Sequence, residues 1–399
     1  MTVCPICTIL HTNNGQGRGR REIYALIGSS HRKRVNGFSM LEDQNYILKQ
    51  IIEISRREKP DAVLIAGDVY DKPIPPAEAV QIFDSFLTEL AQEKQPVFII
   101  SGNHDSPERL AFGSELMKQT GVYMASVYDG RVGEVCMEDS YGLVHVHMLP
   151  FVKPALVRRY VPGSEILSFD EAVRQALRQT VEQMDPSERH VLIAHQFVVG
   201  AACCESEELS IGGLDQVGAD AFDLFDYVAL GHIHGPQRIG RDTLRYCGTP
   251  LKYSFSEVNH KKSVTIAHLR EKGNVSVTAI PLKPLRELRE IRGSYEELTD
   301  RNYYQGTPVD DYLHITLTDE EDILDALGKL RSIYPNIMKL DYDNRRTREG
   351  KEIPAGEGDK KSPFDLLAEL YELQNNQAMT REQADFAKAM MEDIWEGKK

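Results

Sequence analysis

Four apolar segments of this 399-residue chain each lead directly into a short polar motif. Short apolar runs of this kind are typical of strands that are buried on both faces of a sheet. The motifs contain Asp, Asn and His, whose oxygen and nitrogen atoms bind metals. They are Gly67–Asp71 (GDVYD), Gly102–Asp105 (GNHD), Ala194–Gln196 (AHQ) and Gly231–Gly235 (GHIHG). This pattern predicts an α/β fold that carries its chemistry at strand ends.

Helical periodicity alternates with the first two of these strands. Leu41–Glu58 precedes the strand Asp61–Gly67, and a second helix at Pro76–Glu93 leads to the strand Pro96–Ser101. This order predicts parallel strands joined by a right-handed crossover. Further strands are predicted at Leu143–His147, His190–Ala194 and Asp226–Leu230, with a hairpin formed by Ser263–Leu269 and Val275–Ile280. Since ligands bind at the carboxyl ends of strands in open α/β sheets, the four motifs are expected to converge on one site.

Each motif alone has an ordinary structural explanation. A G-D-x-x-D segment is a common turn, and a single His at a strand end, such as His195, is often a satisfied core residue. The G-H-x-H motif is more informative, because alternation along an extended chain points His232 and His234 to the same face. That spacing suits two imidazoles bound to neighbouring metals. The occurrence of all four motifs at strand ends favours a metal centre over coincidence.

Composition limits the class of partner. The chain has 47 Lys and Arg residues and 61 Asp and Glu residues, a net charge of −14. This acidity argues against coating nucleic acid by bulk charge, but not against an enzyme that acts through bound cations. No apolar run approaches a membrane span and no secretory signal is visible, so a cytoplasmic location is expected. The pair Cys4 and Cys7, with His11, is at most half of a zinc site.

The ordered motifs resemble those of the metallophosphoesterase superfamily. The segment Gly248–Glu257, together with the C-terminal extension, resembles more closely the branch of double-strand-break-repair nucleases that pair with a coiled-coil ATPase. The resemblance implies an α/β sandwich of two mixed β-sheets flanked by helices, a small α+β cap domain and a C-terminal helical tail. It also implies two divalent metal ions, with manganese as the expected metal.

The resemblance assigns metal ligands residue by residue. Asp68 would bridge the two ions, Asn103, His195 and His232 would complete one site, and His234 would join the other. His104 would stabilise the pentacoordinate phosphate or protonate the leaving alkoxide. Asp71, with His104, is placed among the catalytic residues, and both Asp71 and Asp105 would orient imidazoles by accepting their free N–H.

One family motif is missing. The family opens with a strand ending in D-x-H, and the corresponding place here is Leu26–Arg32, where only His31 remains as a candidate ligand. Residues 1–34 carry a net charge of +5, unlike the rest of the chain, and no apolar strand is predicted before Lys33. Reading Arg21–Lys33 one nucleotide later allows codons that restore D-x-H. We therefore hypothesise that residues 1–33 are an out-of-frame translation caused by one lost nucleotide.

The remaining chain is predicted to divide into a nuclease domain at residues 34–282, a cap at 283–343, a linker at 344–362 and a tail at 363–399. The cap contains two strands, Asp311–Leu317 and Ile337–Tyr342, and a helix at Glu320–Tyr334. The tail contains two apolar-faced helices, at about Phe364–Gln374 and Thr380–Trp395, which either pack on their own domain or dock on the ATPase.

The resemblance implies a function as the nuclease component of an ATP-dependent complex, in which it cleaves DNA as a double-strand exonuclease and a single-strand endonuclease. The expected partners are the coiled-coil ATPase, DNA and a second copy of the chain within a heterotetramer. Basic clusters at Arg158-Arg159 and around Arg345 could contact phosphates or could be ordinary solvated surface. Two alternatives stay open: a small-molecule phosphodiesterase, and a catalytically impaired scaffold that lacks D-x-H.

Overall fold

The computed structural model describes residues 7–11, 34–207, 215–345, 347, 363–375 and 378–395. It divides the chain between Leu285 and Arg286 into two compact units. His31 and most of the predicted linker lie outside the described residues. Among the helices that the structure describes, none is long and apolar enough to cross a membrane.

Two six-stranded sheets form the centre of the first unit. The first sheet has the order β16 (Val275–Pro281), β15 (Ser263–Leu269), β1 (Cys7–His11), β4 (Ala62–Ala66), β5 (Val97–Ile100) and β6 (Val122–Ala125). The second has the order β13 (Gln237–Ile239), β14 (Arg241–Tyr246), β12 (Tyr227–Gly231), β9 (Arg189–His195), β8 (Gly142–Leu149) and β7 (Gly133–Asp139). Strand β4 lies against β9 and β12 of the other sheet, and β5 lies against β8 and β9. The predicted sandwich of two mixed sheets is confirmed.

Helices pack on these sheets, which buries the apolar faces of the longer helices. They are α1 (Leu41–Glu58), α2 (Ala77–Gln92), α3 (Pro107–Leu110), α4 (Ser114–Lys118), α5 (Pro154–Val157) and α6 (Phe169–Gln183). Ser168 begins α6 with a capping box, in which its side chain accepts from Glu171 N and the Glu171 side chain accepts from Ser168 N. Ala172, Val173, Ala176 and Leu177 then pack on the second sheet. Two short pairs, β2 (Arg34–Val35) with β3 (Phe38–Ser39) and β10 (Phe197–Val198) with β11 (Gln216–Val217), complete the described strands of this unit.

The second unit contains a parallel three-stranded sheet of β17 (Leu288–Gly293), β18 (Tyr312–Leu317) and β19 (Ile337–Tyr342). Its helices are α7 (Tyr295–Thr299), α8 (Arg301–Tyr304), α9 (Ala326–Arg331), α10 (Pro363–Asn375) and α11 (Arg381–Trp395). Leu298, Leu313, Ile315 and Leu330 are among the side chains that form its core. Helices α10 and α11 contact each other.

Most predicted elements of the first unit are confirmed within a residue or two. Helix α1 has the predicted bounds, β4 and β5 are parallel, and β15 and β16 form the predicted antiparallel hairpin. The prediction that no strand precedes Lys33 is wrong, since β1 pairs antiparallel with β4 and parallel with β15. Five residues give too short an apolar pattern to recognise, and the strand is supported by backbone partners on both sides.

The predicted helix Glu320–Tyr334 is also wrong at its start, because the helix begins only at Ala326. Side chains of the preceding acidic run bind backbone elsewhere instead of capping a helix. Asp319 accepts from Tyr295 N at 2.7 Å, and Glu320 accepts from Arg345 N at 3.1 Å. These tertiary bonds hold the segment outside the helix.

Candidate metal centre

The carboxyl ends of β4, β5, β9 and β12 bring four of the predicted ligands together. The Asn103 side-chain oxygen Oδ1 lies 3.0 Å from His195 Nε2 and 3.0 Å from His232 Nδ1. Asp68 Oδ2 lies 3.2 Å from the same His195 Nε2. Asp68 and His195 are buried, and Asn103 and His232 are half-buried. One carboxamide oxygen, one carboxylate oxygen and two imidazole nitrogens are therefore linked by three contacts of 3.0–3.2 Å.

The donor atoms of this cluster fit a divalent cation. His195 Nδ1 lies 2.7 Å from the carbonyl oxygen of Ala66, so Nδ1 must carry the hydrogen. A neutral imidazole then presents a lone pair at Nε2 to the lone pairs of Asp68 Oδ2 and Asn103 Oδ1. The contact of Nε2 with the Asp68 carboxylate is favourable only with a positive charge between the atoms, either a proton or a cation. Mixed oxygen and nitrogen ligands of this type suit manganese, iron or zinc.

The pKa shifts of Asp68, His195 and His232 agree with a positive charge in this cluster. Burial opposes ionisation of Asp68, but the charge and hydrogen bond of His195 outweigh it and lower the pKa of Asp68. Burial also disfavours the imidazolium of His195, yet the charge of Asp68 raises the pKa of His195 above its ordinary value. Burial, followed by repulsion from His195, lowers the pKa of His232 to about 3. His232 is therefore neutral near pH 7 and has a lone pair available for a metal.

Glycine is required where the strand ends approach one another. A Cβ atom at Gly231 would overlap the carbonyl oxygen of Ala66, and one at Gly102 would overlap the Asp68 carboxylate. Asp68 and His232 themselves have positive φ angles of 50° and 102°. Non-glycine residues adopt these angles at a cost in free energy, which the surrounding contacts offset.

The structure places Asp105 against backbone N–H groups, and none of its hydrogen bonds among the described residues is to an imidazole. Its Oδ2 accepts from Val69 N at 3.0 Å and Gly102 N at 2.9 Å, and its Oδ1 accepts from Tyr70 N at 2.8 Å. Asp105 thus holds the loop after β4 against the loop after β5. The imidazole of His195 is oriented by a backbone carbonyl instead. Burial, followed by the charge of Asp68, raises the pKa of Asp105 to about 7 against the effect of these backbone donors.

His234 lies in a neighbouring network and has no hydrogen bond to the Asn103 cluster among those of the described residues. Its Nδ1 lies 2.8 Å from Ser206 Oγ and 3.2 Å from Glu257 Oε1. Glu257 is fully buried, and its Oε2 accepts from Lys262 Nζ at 2.5 Å. Burial opposes ionisation of Glu257, but the charge of Lys262 outweighs it and holds the pKa of Glu257 well below its ordinary value. A carboxylate behind a histidine fixes the ring and raises its basicity as a ligand.

Two groups of residues in this region were not predicted as functional. Ser206, Glu257 and Lys262 orient His234, and the only signal in the sequence was that Glu257 ends the segment Gly248–Glu257. Phe151 packs on two of the candidate ligand rings, and its centroid lies 6.1 Å from that of His195 and 6.5 Å from that of His232. Because Phe is common in protein cores, nothing in the sequence indicated that Phe151 lies beside these rings.

The other predicted residues are placed less fully. His104 is half-buried, and its backbone N–H donates to Asp68 Oδ1 at 3.0 Å, which places His104 beside the candidate ligands Asp68 and Asn103. Asp71 is buried at the end of the loop after β4. The prediction for His31 falls on residues outside the described part of the chain. Arg158 of the first basic cluster donates to the carbonyl oxygen of Ile166.

In comparison with known proteins, this chain matches two family models, and it is similar over most of its length to a curated relative. Residues 25–236, a range that includes His31, match the family model described as calcineurin-like phosphoesterase. Residues 284–375 match the model described as type 5 capsule protein repressor C-terminal domain. Over 369 residues the chain is 33% identical to the SbcD component of the nuclease SbcCD from Staphylococcus epidermidis (strain ATCC 12228 / FDA PCI 1200). The match covers 91% of this chain and 96% of that protein.

Proposed function

The chain belongs to the calcineurin-like phosphoesterase family, and from this premise we propose that it is the nuclease component of an SbcCD-type complex. In this proposal it hydrolyses phosphodiester bonds of DNA with two divalent metal ions, manganese being the expected metal, as a double-strand exonuclease and single-strand endonuclease. The observation that carries the proposal is the convergence of Asp68, Asn103, His195 and His232 around facing lone pairs. The similarity to a nuclease over almost the whole length of that protein supports DNA as the substrate.

In this proposal the residues of the site have different roles in the hydrolysis. Asp68, Asn103, His195 and His232 would hold one cation, and Asp68 with His234 would hold the second. Bound cations would neutralise the phosphodiester, acidify a water and stabilise the leaving oxygen. His104 would donate a hydrogen bond to the phosphate or a proton to the leaving alkoxide, and Phe151 would restrict water at the imidazoles. Asp105 would keep the two metal-binding loops in register, and Asp71 would act as a further carboxylate of the reaction.

The partners in this proposal are a coiled-coil ATPase of the SbcC type, DNA and a second copy of the chain within a heterotetramer in the cytoplasm. Helices α10 and α11 support the ATPase as partner. Leu366, Leu370, Phe386 and Met390 are 44–67% exposed there, which is unusual for large apolar side chains on adjoining helices. Docking of these helices on a coiled coil would cover them.

A catalytically impaired scaffold is the second candidate, and the absence of D-x-H from the sequence favours it. We propose that residues 1–33 are out of frame, in which case the natural chain carries the motif and its own first strand takes the place that β1 occupies between β4 and β15. Nucleotide sequencing of the gene across the codons of Arg21–Arg34 tests this directly. An intact reading frame there would refute the frame hypothesis and leave the first metal site without its carboxylate.

One set of assays separates the candidates. The chain with the reading frame restored across Arg21–Arg34 is expected to bind two equivalents of manganese, measured by elemental analysis, and to cleave linear DNA when manganese is present. His232→Asn should abolish cleavage and lower the metal content, while the matched control His268→Asn should not. Hydrolysis of a chromogenic phosphodiester without DNA cleavage would instead indicate a small-molecule enzyme. One equivalent or none, with neither activity, would indicate the scaffold.

A further inference from the structure

A second cluster of metal-binding side chains lies on the second sheet, near the amino end of β9. Cys136 of β7 is the direct cross-strand partner of His145 on β8, and His145 is the direct partner of His190 on β9. His190 precedes His195 by five positions in β9. At about 3.3 Å per residue, the cluster is roughly 16 Å from His195 along this strand. It is therefore separate from the metal centre described above.

Three ligand atoms of different types meet in this cluster. His145 Nδ1 lies 2.6 Å from Glu134 Oε1 and 3.2 Å from Cys136 Sγ, and the Glu134 and Cys136 atoms are 3.7 Å apart. Ligands around a tetrahedral zinc ion are separated by about 3.3–3.8 Å. The nitrogen–oxygen pair would have to widen most, which Glu134 allows because it is an exposed, flexible side chain, and the nitrogen–sulfur pair would widen slightly. The sheet register holds the other two in place.

A carboxylate behind His145 determines which nitrogen can bind a cation. His145 Nε2 lies 2.6 Å from Glu188 Oε2. If Nε2 carries the hydrogen and donates it to Glu188, then Nδ1 presents its lone pair to the Glu134 carboxylate and the Cys136 sulfur. These contacts need a positive charge between them. The arrangement is that of metal-binding histidines, which commonly donate their other N–H to a carboxylate.

The adjoining cavity provides an independent observation. It has a volume of about 250 Å³ between helix α6 and the sheet, and Glu134, His145, His147 and His190 line it. His147 is 2% exposed, and its buried Nδ1 has no hydrogen-bond partner among the described residues. Burial lowers the pKa of His147 to about 4, so the ring is neutral near pH 7. Such a polar cavity beside the ligands has room for a water that completes a coordination shell.

We propose that Glu134, Cys136 and His145 form a binding site for a borderline divalent transition cation, with zinc as the expected ion. A thiolate, an imidazole and a carboxylate together select zinc-like ions over the hard manganese ion of the catalytic centre. The thiolate is the form that binds such an ion, so binding releases the Cys136 thiol proton to solvent. The bound ion links the edge strand β7 to β8 and thereby stabilises the edge of the second sheet.

Cobalt and zinc titrations of the full chain, stripped with a chelator, test the proposal. Cobalt should produce a thiolate-to-cobalt charge-transfer band that Cys136→Ser removes. The control variant Cys203→Ser, which changes an exposed cysteine in another loop, should keep the band. A band of unchanged intensity in Cys136→Ser, or no band in the natural chain, would overturn the proposal and leave His145 as a hydrogen-bonded partner of Glu134 and Glu188.

Two further measurements do not depend on a cysteine variant folding. Zinc should slow alkylation of Cys136 by about tenfold or more in the unmodified chain, followed by peptide mass spectrometry, because a bound thiolate is not a free nucleophile. Alkylation of Cys203 provides the internal control, and equal rates at Cys136 with and without zinc would contradict the site. Glu188→Ala should weaken zinc binding by about 10–100-fold in competition with a chelating dye. Unchanged zinc affinity in that variant would refute the orientation of His145 on which the site rests.

Discussion

Replacing Lys262 by Met is expected to destabilise the first unit strongly, because its ammonium group is the cation of a buried network. The side chain is 4% exposed. Its Nζ donates to Glu257 Oε2 at 2.5 Å, to Thr249 Oγ1 at 2.6 Å and to the carbonyl oxygen of His234 at 3.1 Å. Methionine keeps most of the volume of lysine but makes none of these bonds, so Lys262→Met isolates the effect of the charge.

The magnitude follows from the burial of Glu257, which is 0% exposed. Removal of one partner from a buried ion pair costs about 3–5 kcal/mol, because the remaining charge has neither water nor a counter-ion. The pKa of Glu257 lies well below its ordinary value in the native chain. Its ionised form therefore contributes stability that is present above the ordinary carboxyl pKa and is lost as the pH falls through the folded pKa. In Lys262→Met the effect of burial remains and that contribution disappears.

Urea unfolding at pH 7, followed by far-ultraviolet circular dichroism, measures the loss. Adding Glu257→Gln to Lys262→Met should recover much of it, because the amide needs no counter-ion and still offers an oxygen to Tyr253 N. The control Arg238→Met removes an exposed ion pair with Asp242 and should change the free energy of unfolding by less than about 1 kcal/mol. A Lys262→Met variant no less stable than Arg238→Met would refute the reasoning.

Three other perturbations have defined outcomes. Asp105→Asn should cost about 1–3 kcal/mol in thermal unfolding and lower phosphodiesterase activity, because an amide cannot accept all three backbone N–H groups; unchanged activity would argue against its role between the two loops. His147→Leu should reduce the loss of stability as the pH falls from about 6.5 towards 4, measured with a chelator present, since the lowered pKa of His147 makes protonation destabilising there. An acid-unfolding profile identical to that of the natural chain would contradict this. Deletion of residues 363–399 should abolish co-purification of the ATPase while manganese-dependent nuclease activity remains, and retained co-purification would disprove the role of the tail.

The positions of the four polar motifs at strand ends could be predicted from the sequence because they depend on local patterns. The apolar run of β4 identifies a strand without any tertiary information, and the glycine after it marks the sharp turn at which Asp68 lies. Parallel pairing of β4 with β5 follows from the helix between them. Each of these elements is encoded within a window of about 11–18 residues, the range over which hydrophobic periodicity is informative.

Other features could not be predicted, because they depend on contacts between residues that are distant in the sequence. The shortened helix at Ala326 and the role of Asp105 depend on which backbone N–H groups happen to lie near a carboxylate in the folded chain. No pattern of neighbouring residues reports those distances. The same holds for β1, whose place in the first sheet is set by the free edges of β4 and β15.

The sequence by itself determined which chemical groups are available at the strand ends, namely carboxylate, carboxamide and imidazole. Only the tertiary structure decided how their lone pairs face one another. Asp68 and His195 are far apart in the chain, yet their oxygen and nitrogen lie 3.2 Å apart. The network of Glu257 behind His234 and the cluster around His145 arise in the same way. The reason is physical: residue type sets what an atom can bind, whereas sheet register and burial set which charges it must balance.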